Sequence, residues 1–88
     1  MSYKLKFMPK ALKSFAKLNP ELKAQFKKQL DKRLENPCIE KYRLHGDYQG
    51  HYKIKLLAAG YRMIYRVIND ECVVLVVEVN RRDKIYKS

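Results

Sequence analysis

The chain has 88 residues, of which 47% are hydrophobic, and 20 Lys and Arg against 9 Asp and Glu give it a formal net charge of +11. This length suits one domain with one core, which we expect to span residues 1–88. The composition excludes a disordered or low-complexity chain. No apolar run approaches the roughly 18 residues of a membrane span, and the N-terminus lacks the apolar segment of a signal peptide. We therefore expect a cytoplasmic protein with no membrane association.

The surplus of positive charge indicates an anionic partner, because like charges on one small domain repel each other. Nucleic acid is the leading candidate for this partner. Cys38 and Cys72 have neither CxxC spacing nor a nearby histidine pair, so we interpret both as reduced thiols. No metal-binding, phosphate-loop or Ser/His/Asp motif occurs, and the sequence predicts no cofactor.

The N-terminal half predicts one strand and two helices. Residues 3–7 alternate in polarity as a strand does, and Pro9 suits the first turn of a following helix. Asn19 and Pro20 then form an N-cap and a first-turn proline, which predicts a second helix over residues 20–35. Apolar residues recur every four positions along this helix, at Leu22, Phe26, Leu30 and Leu34. We expect the two helices to form an antiparallel hairpin.

The C-terminal half predicts an antiparallel meander. Strands are expected at 52–57, 61–68 and 72–79, separated by turns at 58–60 and 69–71, and a shorter strand at 41–44 would precede them. The predicted fold class is therefore α+β: an N-terminal strand, a two-helix antiparallel hairpin, then a meander of three or four strands that forms one sheet.

The stretch HYKIKL has two lysines on one side of a strand, because residues two apart point the same way. A solvated polar face is the simplest explanation. A two-residue turn at 59–60 would pair the apolar side with the next strand as Leu56–Met63, Ile54–Tyr65 and Tyr52–Val67. The other side would pair Lys55–Ile64, Lys53–Arg66 and Leu57–Arg62. Four cations are thus predicted to share one face.

The stretch VVLVVEV is apolar on both sides, so its exposed side needs a cover. With a turn at 69–70, Val73, Leu75 and Val77 fall on the cationic face. Either more of this chain or another molecule covers them. The tail NRRDKIYKS adds basic residues and Tyr86 beside the sheet, and it is short enough that a partner protein is plausible.

Clustered cations suit the cleavage of RNA, which requires a base for the 2′-hydroxyl, positive charge for the transition state and an acid for the leaving oxygen. Crowding lowers the pKa of a lysine, so Lys53 or Lys55 is a candidate base. Tyr86 is another, if neighbouring arginines lower its pKa. We interpret His45 and His51 as ordinary polar surface rather than as a catalytic pair.

Several stretches together resemble the RelE-family toxins of the RelE/ParE superfamily. They are FMPKALKSFAKL, a second helix that ends in LENP, YRLHG, YKIKLLAAGYRMIYRV, the valine-rich strand and the basic tail. The resemblance covers nearly the whole chain, and YKIKL..AGYR.IY.V is its most specific part. It implies an endoribonuclease that binds in the A site of the 70S ribosome, contacts mRNA and rRNA there, and cleaves the mRNA. It also implies a RelB-like antitoxin that neutralises this activity.

The resemblance also implies roles for individual residues. Its catalytic set corresponds to Lys53, Lys55, Arg62, Arg82 and Tyr86. Lys53, Lys55 and Arg62 would position and stabilise the scissile phosphate, and Arg82, with Arg81 as the alternative, would assist the leaving group. Either Lys55 or Tyr86 would be the base. Apart from the resemblance, the basic character of the face and tail leads us to expect that Arg66 and Arg81 contact RNA or the ribosome.

Two other functions fit parts of the sequence. A ParE-like toxin shares the fold but inhibits DNA gyrase, and the combination of both lysines with Arg62 and Tyr86 argues against it. A non-enzymatic RNA-binding or ribosome-binding module would need only the basic face. For the toxin hypothesis, we expect the antitoxin to bind at or near the cationic face.

Overall fold

The computed structural model describes residues 3–46, 50–56 and 60–81 of the chain. Its helices and strands are β1 (Lys4–Phe7), α1 (Pro9–Ala16), α2 (Pro20–Glu35), β2 (His51–Leu56), β3 (Tyr61–Ile68) and β4 (Val73–Arg81). Short 3-10 helices lie at Glu40–Tyr42 and Asn69–Glu71. The predicted α+β class and order of elements are confirmed. None of the helices in these ranges is long and apolar enough to cross a bilayer.

Both helices begin at the prolines that the sequence indicates, because a residue without an N–H fits the first turn. Asn19 caps α2, and its side-chain oxygen accepts a hydrogen bond of 2.8 Å from the N–H of Leu22. The observed bounds of α2 are those predicted. This helix directs Phe26 and Leu30 into the core, where both side chains are at most 1% exposed.

The four strands form one mixed sheet in the order β1-β4-β3-β2. After β1, the chain passes through both helices to the far edge of the sheet at β2. It then returns through β3 to β4, which pairs with β1 in parallel. The predicted antiparallel meander is confirmed for β2, β3 and β4, and β1 makes the sheet mixed. The helices cover one face, and the other face carries the lysines of β2.

The predicted strand at 41–44 is wrong. Residues Glu40–Tyr42 form a 3-10 helix, and Arg43 contributes only an isolated bridge to Tyr52. Two local interactions favour the turn: the N–H of Arg43 donates to the carbonyl of Glu40 at 3.1 Å, and the two side chains form an ion pair at 3.3 Å. The edge of β2 is therefore paired at one point rather than along a strand.

The predicted register between β2 and β3 is wrong by two residues. Leu56 pairs with Tyr61, so residues 57–60 separate the strands instead of a two-residue turn. The carbonyl of Leu56 accepts a hydrogen bond of 2.9 Å from Gly60, whose φ of +70° lies in the region that glycine tolerates best. A shift of two residues keeps every side chain on its predicted face. Leu57, the predicted partner of Arg62, lies outside the described residues.

A β-bulge interrupts the pairing of β3 with β4. Tyr65 pairs with Val76 and Ile64 pairs with Glu78, which leaves Val77 as the extra residue. Val73 and Leu75 lie on the cationic face, as predicted, whereas Val77 does not continue their alternation. Beyond the bulge, each residue of β4 lies on the face opposite to the one that regular alternation would give it. Val79 enters the core at 3% exposure, and Glu78 and Asn80 take the cationic side.

Candidate active site

The cationic face comprises Lys53 and Lys55 of β2 with Arg62 and Arg66 of β3. Lys55 pairs directly with Arg62, and Lys53 pairs with Ile64, which lies between the two arginines along β3. The structure therefore brings together four of the cations that the sequence assigned to the site. Lys55 and Arg62 are closer neighbours than the predicted register placed them.

The four cations differ in how far they are buried. Arg62 is only 8% exposed, Lys53 is half-buried, and Lys55 and Arg66 are exposed. Burial restricts the position of the Arg62 guanidinium, whose planar donors have the geometry to match two phosphate oxygens. The exposed side chains of Lys55 and Arg66 keep the freedom to adjust to a bound polyanion. The face thus combines a fixed positive charge with mobile ones.

The surroundings of Lys53 lower its pKa, as the sequence predicted for one of the two lysines. Burial is the largest cause, and the charges of Lys55 and Arg62 add to it. Each of these effects disfavours the protonated ammonium. Lys53 therefore releases a proton more readily than an isolated lysine does.

The bulge in β4 adds two polar residues that sequence reasoning missed. Glu78 pairs with Ile64, which pairs with Lys53 on its other side, and Asn80 lies next to Arg62. A carboxylate thus lies on the cationic face two strands away from Lys53, with Ile64 between them. The sequence offered one hint of this, because Glu78 breaks the apolar run of the last strand. Regular alternation would have placed Glu78 among the helices, where an unpaired charge is costly.

Sequence reasoning also missed Arg33, a residue of α2 that is 5% exposed. Its Nη1 donates hydrogen bonds to the Tyr65 phenol oxygen at 2.9 Å and to the Lys53 carbonyl at 3.0 Å. The Tyr65 hydroxyl in turn donates to the carbonyl of Pro37 at 2.7 Å. Burial raises the pKa of Tyr65, which keeps this hydroxyl protonated. The Arg33 guanidinium also lies 4.3 Å from the centre of the Tyr42 ring.

The position of Arg33 in the helix was a usable signal. It follows Leu30 by three residues and Phe26 by seven, a spacing that places all three on one side of α2. A cation on the apolar side of a helix needs polar partners in the core. Many lysines of α2 are solvated, so one buried arginine among them did not stand out in the sequence.

Arg81 lies apart from the cationic face. It ends β4 opposite Tyr61, and this pair belongs to the helix side of the sheet. Arg81 lines a cavity of about 440 Å³ there with Lys17 and Leu18 of the α1 end. Arg82 and Tyr86, the other two predicted catalytic residues, lie outside the described residues.

The two histidines occupy different positions. His51 begins β2 on the cationic face, opposite Arg66. His45 is exposed and follows Leu44, whose N–H donates to the His51 carbonyl at 2.9 Å. Within residues 3–46, 50–56 and 60–81, no group of three or more His, Cys, Asp and Glu is arranged to hold a metal ion.

Comparison with known proteins gives the class. A family model described as the ParE toxin of the type II toxin-antitoxin system parDE matches residues 5–86. The mRNA interferase toxin RelE of Escherichia coli K12 is 43% identical over 84 residues, which cover 96% of this chain and 87% of that protein. The chain belongs to this family of type II toxins, and the expected membership of the RelE/ParE superfamily is confirmed.

Solved structures agree with this assignment. The isolated E. coli RelE toxin superposes with a TM-score of 0.87 at 42% identity, over 91% of this chain and 84% of that one. The intact E. coli RelBE toxin-antitoxin complex gives the same TM-score and identity, over 91% of this chain and 96% of that one. The RelE-like fold that the sequence predicts is thereby confirmed.

Proposed function

We propose that this protein is a cytoplasmic, single-domain toxin of a type II toxin-antitoxin system that cleaves mRNA in the A site of the 70S ribosome. The observation that carries the proposal is the convergence of Lys53, Lys55 and Arg62 on one face. Their geometry suits the negative charge that builds up on a phosphate during cleavage. The naming of a 43% identical relative as an mRNA interferase supports the same activity.

The proposed reaction is an attack of the 2′-oxygen of one nucleotide on its own 3′-phosphate. The new bond from oxygen to phosphorus forms as the bond to the 5′-oxygen breaks, so the products are a 2′,3′-cyclic phosphate and a 5′-hydroxyl. A base takes the 2′-hydroxyl proton, and the leaving oxygen gains a proton. This chemistry takes place at the phosphate and uses no redox step.

The residues divide these tasks in the proposed mechanism. Buried Arg62 neutralises the phosphate oxygens in the transition state, and Lys53 and Lys55 position the phosphate. Either Lys55 or Tyr86 acts as base, and Arg82 assists the leaving oxygen. Arg82 is preferred to Arg81 for this role, because Arg81 lies opposite Tyr61 on the helix side of the sheet.

Two further cations have proposed roles in binding. Arg66 is exposed beside the catalytic cations, so we assign it a contact with mRNA or rRNA. Arg81 would contact rRNA from the other side of the sheet. Such contacts supply affinity that depends on salt but contribute little to the chemical step.

A RelB-like antitoxin is the proposed protein partner. The E. coli toxin has been solved in complex with its antitoxin. We place the antitoxin on or beside the cationic face, where it would shield the positive charge from the ribosome. Hydrogen exchange with and without the cognate antitoxin tests this placement. No added protection between residues 56 and 79 would reject it.

Cleavage is tested by translating a defined mRNA in a purified system and mapping the new 5′ ends. Wild type is expected to cut at A-site codons only when ribosomes are present, and Arg62→Ala is expected to lose the cut. Lys28→Ala, which removes an exposed cation of α2, is the matched control and should cut normally. The absence of any ribosome-dependent cut by wild type would reject the nuclease function.

Inhibition of DNA gyrase is the second candidate, because the matching family model is described as a ParE toxin. A supercoiling assay with the same protein preparation separates the two functions. Uncut mRNA together with inhibited supercoiling would favour the gyrase function. Ribosome binding without either effect would indicate a non-enzymatic module.

A further inference from the structure

Arg33 is a buried cation on the helix side of the sheet, yet it contacts the backbone of a residue whose side chain lies on the cationic face. Its Nη1 lies 3.0 Å from the Lys53 carbonyl oxygen. We infer that Arg33 is a positioning residue, which fixes the edge strand β2 at Lys53 and thereby aims the Lys53 side chain at the scissile phosphate. This inference rests on the proposed function for its catalytic consequence.

The position of β2 in the sheet explains why it needs such support. β2 is an edge strand, and its regular pairing is to β3 alone. On its outer side, the Arg43–Tyr52 bridge holds the strand before Lys53. The hydrogen bond from Arg33 holds the Lys53 carbonyl, which is the next carbonyl after that of His51 on the outer side of β2. Fixing this peptide group restricts rotation of the strand about its axis, and so restricts the direction of the Lys53 side chain.

The chemistry of arginine suits this contact. Nη1 carries two hydrogens, which serve the Tyr65 oxygen and the Lys53 carbonyl, while the plane of the guanidinium stacks on Tyr42. These partners are anchored in different elements: β3, β2 and the 3-10 helix. A lysine ammonium has no plane to stack and no rigid fork. Arg33 therefore ties three elements together around a single peptide group.

Packing alone does not explain a cation at this position. The described partners of Arg33 are a phenol, a carbonyl and an aromatic ring, none of which carries a negative charge. An apolar side chain in the same place would avoid the desolvation of a guanidinium, but it would leave the Lys53 carbonyl without this donor. What the arginine adds is the defined position of the Lys53 backbone.

The influence of Arg33 passes through geometry rather than through charge. The cations that lower the pKa of Lys53 are Lys55 and Arg62, on the other side of the sheet. If Arg33 is removed, we expect β2 to loosen and Lys53 to move into solvent, away from both. Its pKa should then rise toward the ordinary value. Loss of the Arg33 charge would act in the same direction, so a variant that keeps the charge is needed to separate the two causes.

The test compares four variants of the full chain. Arg33→Met removes both Nη1 hydrogen bonds and the stacking on Tyr42, and Arg33→Lys keeps the charge without the planar fork. Tyr65→Phe removes the phenol but leaves the bond to Lys53. Lys32→Met removes an adjacent, exposed cation from α2 as the charge-matched control. Two readouts are measured: the pKa of Lys53, by NMR of ¹³C-dimethylated lysines in the isolated protein, and kcat and KM for mRNA cleavage on programmed ribosomes.

Arg33→Met is expected to raise the pKa of Lys53 and to lower kcat roughly 10- to 100-fold, the usual effect of a small misplacement of a reacting group. KM for ribosomes should change less than about twofold, because the exposed binding cations are untouched. Tyr65→Phe should lower thermal stability but keep kcat within about threefold of wild type. Lys32→Met should behave as wild type in both readouts.

An unchanged Lys53 pKa in Arg33→Met would overturn the inference. So would equal losses of kcat in Arg33→Met and Tyr65→Phe, since Arg33 would then only stabilise the fold. Arg33→Lys should raise the pKa of Lys53 as well, and a wild-type pKa in this variant would mean that Arg33 acts through its charge alone. The same variant provides the comparison if Arg33→Met does not fold. Should wild type fail to cleave while Arg33→Met still raises the Lys53 pKa, the positioning role stands and the proposed nuclease function falls.

Discussion

Lys55 and Arg62 face each other directly across β2 and β3. Two like charges in this arrangement destabilise a sheet, whereas a mixed or apolar pair stabilises it. The same juxtaposition concentrates positive charge where a phosphate would bind. Charge repulsion therefore destabilises the site in the free protein, and a bound polyanion would relieve this repulsion.

Replacing Lys55 should separate stability from activity. Lys55→Met removes the repulsion with Arg62, so we expect the free energy of unfolding to rise by about 0.5 kcal/mol. Cleavage of mRNA should fall at least tenfold in the same variant, because a phosphate-positioning charge is lost. Urea denaturation and the ribosome assay provide the two measurements. Lys27→Met on exposed α2 is the control, and equal stabilisation by both changes would mean that net charge alone is responsible.

The lowered pKa of Lys53 predicts a dependence of stability on pH. Below that pKa, Lys53 is protonated in the folded and unfolded chains, and the folded chain bears the full penalty of the confined charge. Between the lowered pKa and the ordinary one, the unfolded chain binds more protons. The free energy of unfolding should therefore rise with pH through this window.

Lys53→Met should remove that rise. Urea denaturation at several values between about pH 8 and pH 11 measures it, since lysines titrate in this range. The difference between wild type and Lys53→Met isolates the contribution of Lys53 from that of the other lysines. Lys27→Met should retain the wild-type slope. Parallel curves for wild type and Lys53→Met would contradict the prediction.

Arg66 should contribute to the affinity for ribosomes, whereas Arg62 should contribute to the chemical step. Arg66→Gln is expected to reduce the slope of log affinity for ribosomes against log salt by about one, with kcat unchanged, because an exposed cation contributes one phosphate contact. Arg62→Gln should instead lower kcat strongly. Filter binding across a salt series and single-turnover cleavage measure the two effects. A normal salt slope in Arg66→Gln would place Arg66 outside the RNA interface.

The extra residue Val77 should be dispensable for the faces of β4. Deleting Val77 would make β4 regular and would leave Glu78 on the cationic face and Val79 in the core, because both residues already have the partners on β3 that a regular strand would give them. We expect the free energy of unfolding to change by less than about 1 kcal/mol, and a loss of about 3 kcal/mol or more would mean that the bulge itself stabilises the fold. Val77→Ala keeps the extra residue and should cost about 1 kcal/mol or less. Thermal unfolding of both variants by circular dichroism provides the comparison.

Local chemistry explains which features the sequence predicted. The start of α2 follows from Asn19 and Pro20, which act within one turn. The faces of β2 and β3 follow from alternation, which a two-residue error in register does not disturb. Features that depend on distant partners were missed. The bulge opposite Ile64 and Tyr65 and the burial of Arg33 arise only when the sheet and α2 pack together.

The parallel pairing of β1 with β4 sets an order of folding. The β2–β3 hairpin connects neighbours in sequence, but Lys4 pairs with Val73 near the other end of the chain. Contacts that span such a length form slowly, because a long loop must close before they contribute. β1 is synthesised before β4, so it can form its pairing only after β4 has been made. A toxin molecule completes its sheet only after β4 has been synthesised, and until then its cationic strands lack a finished scaffold.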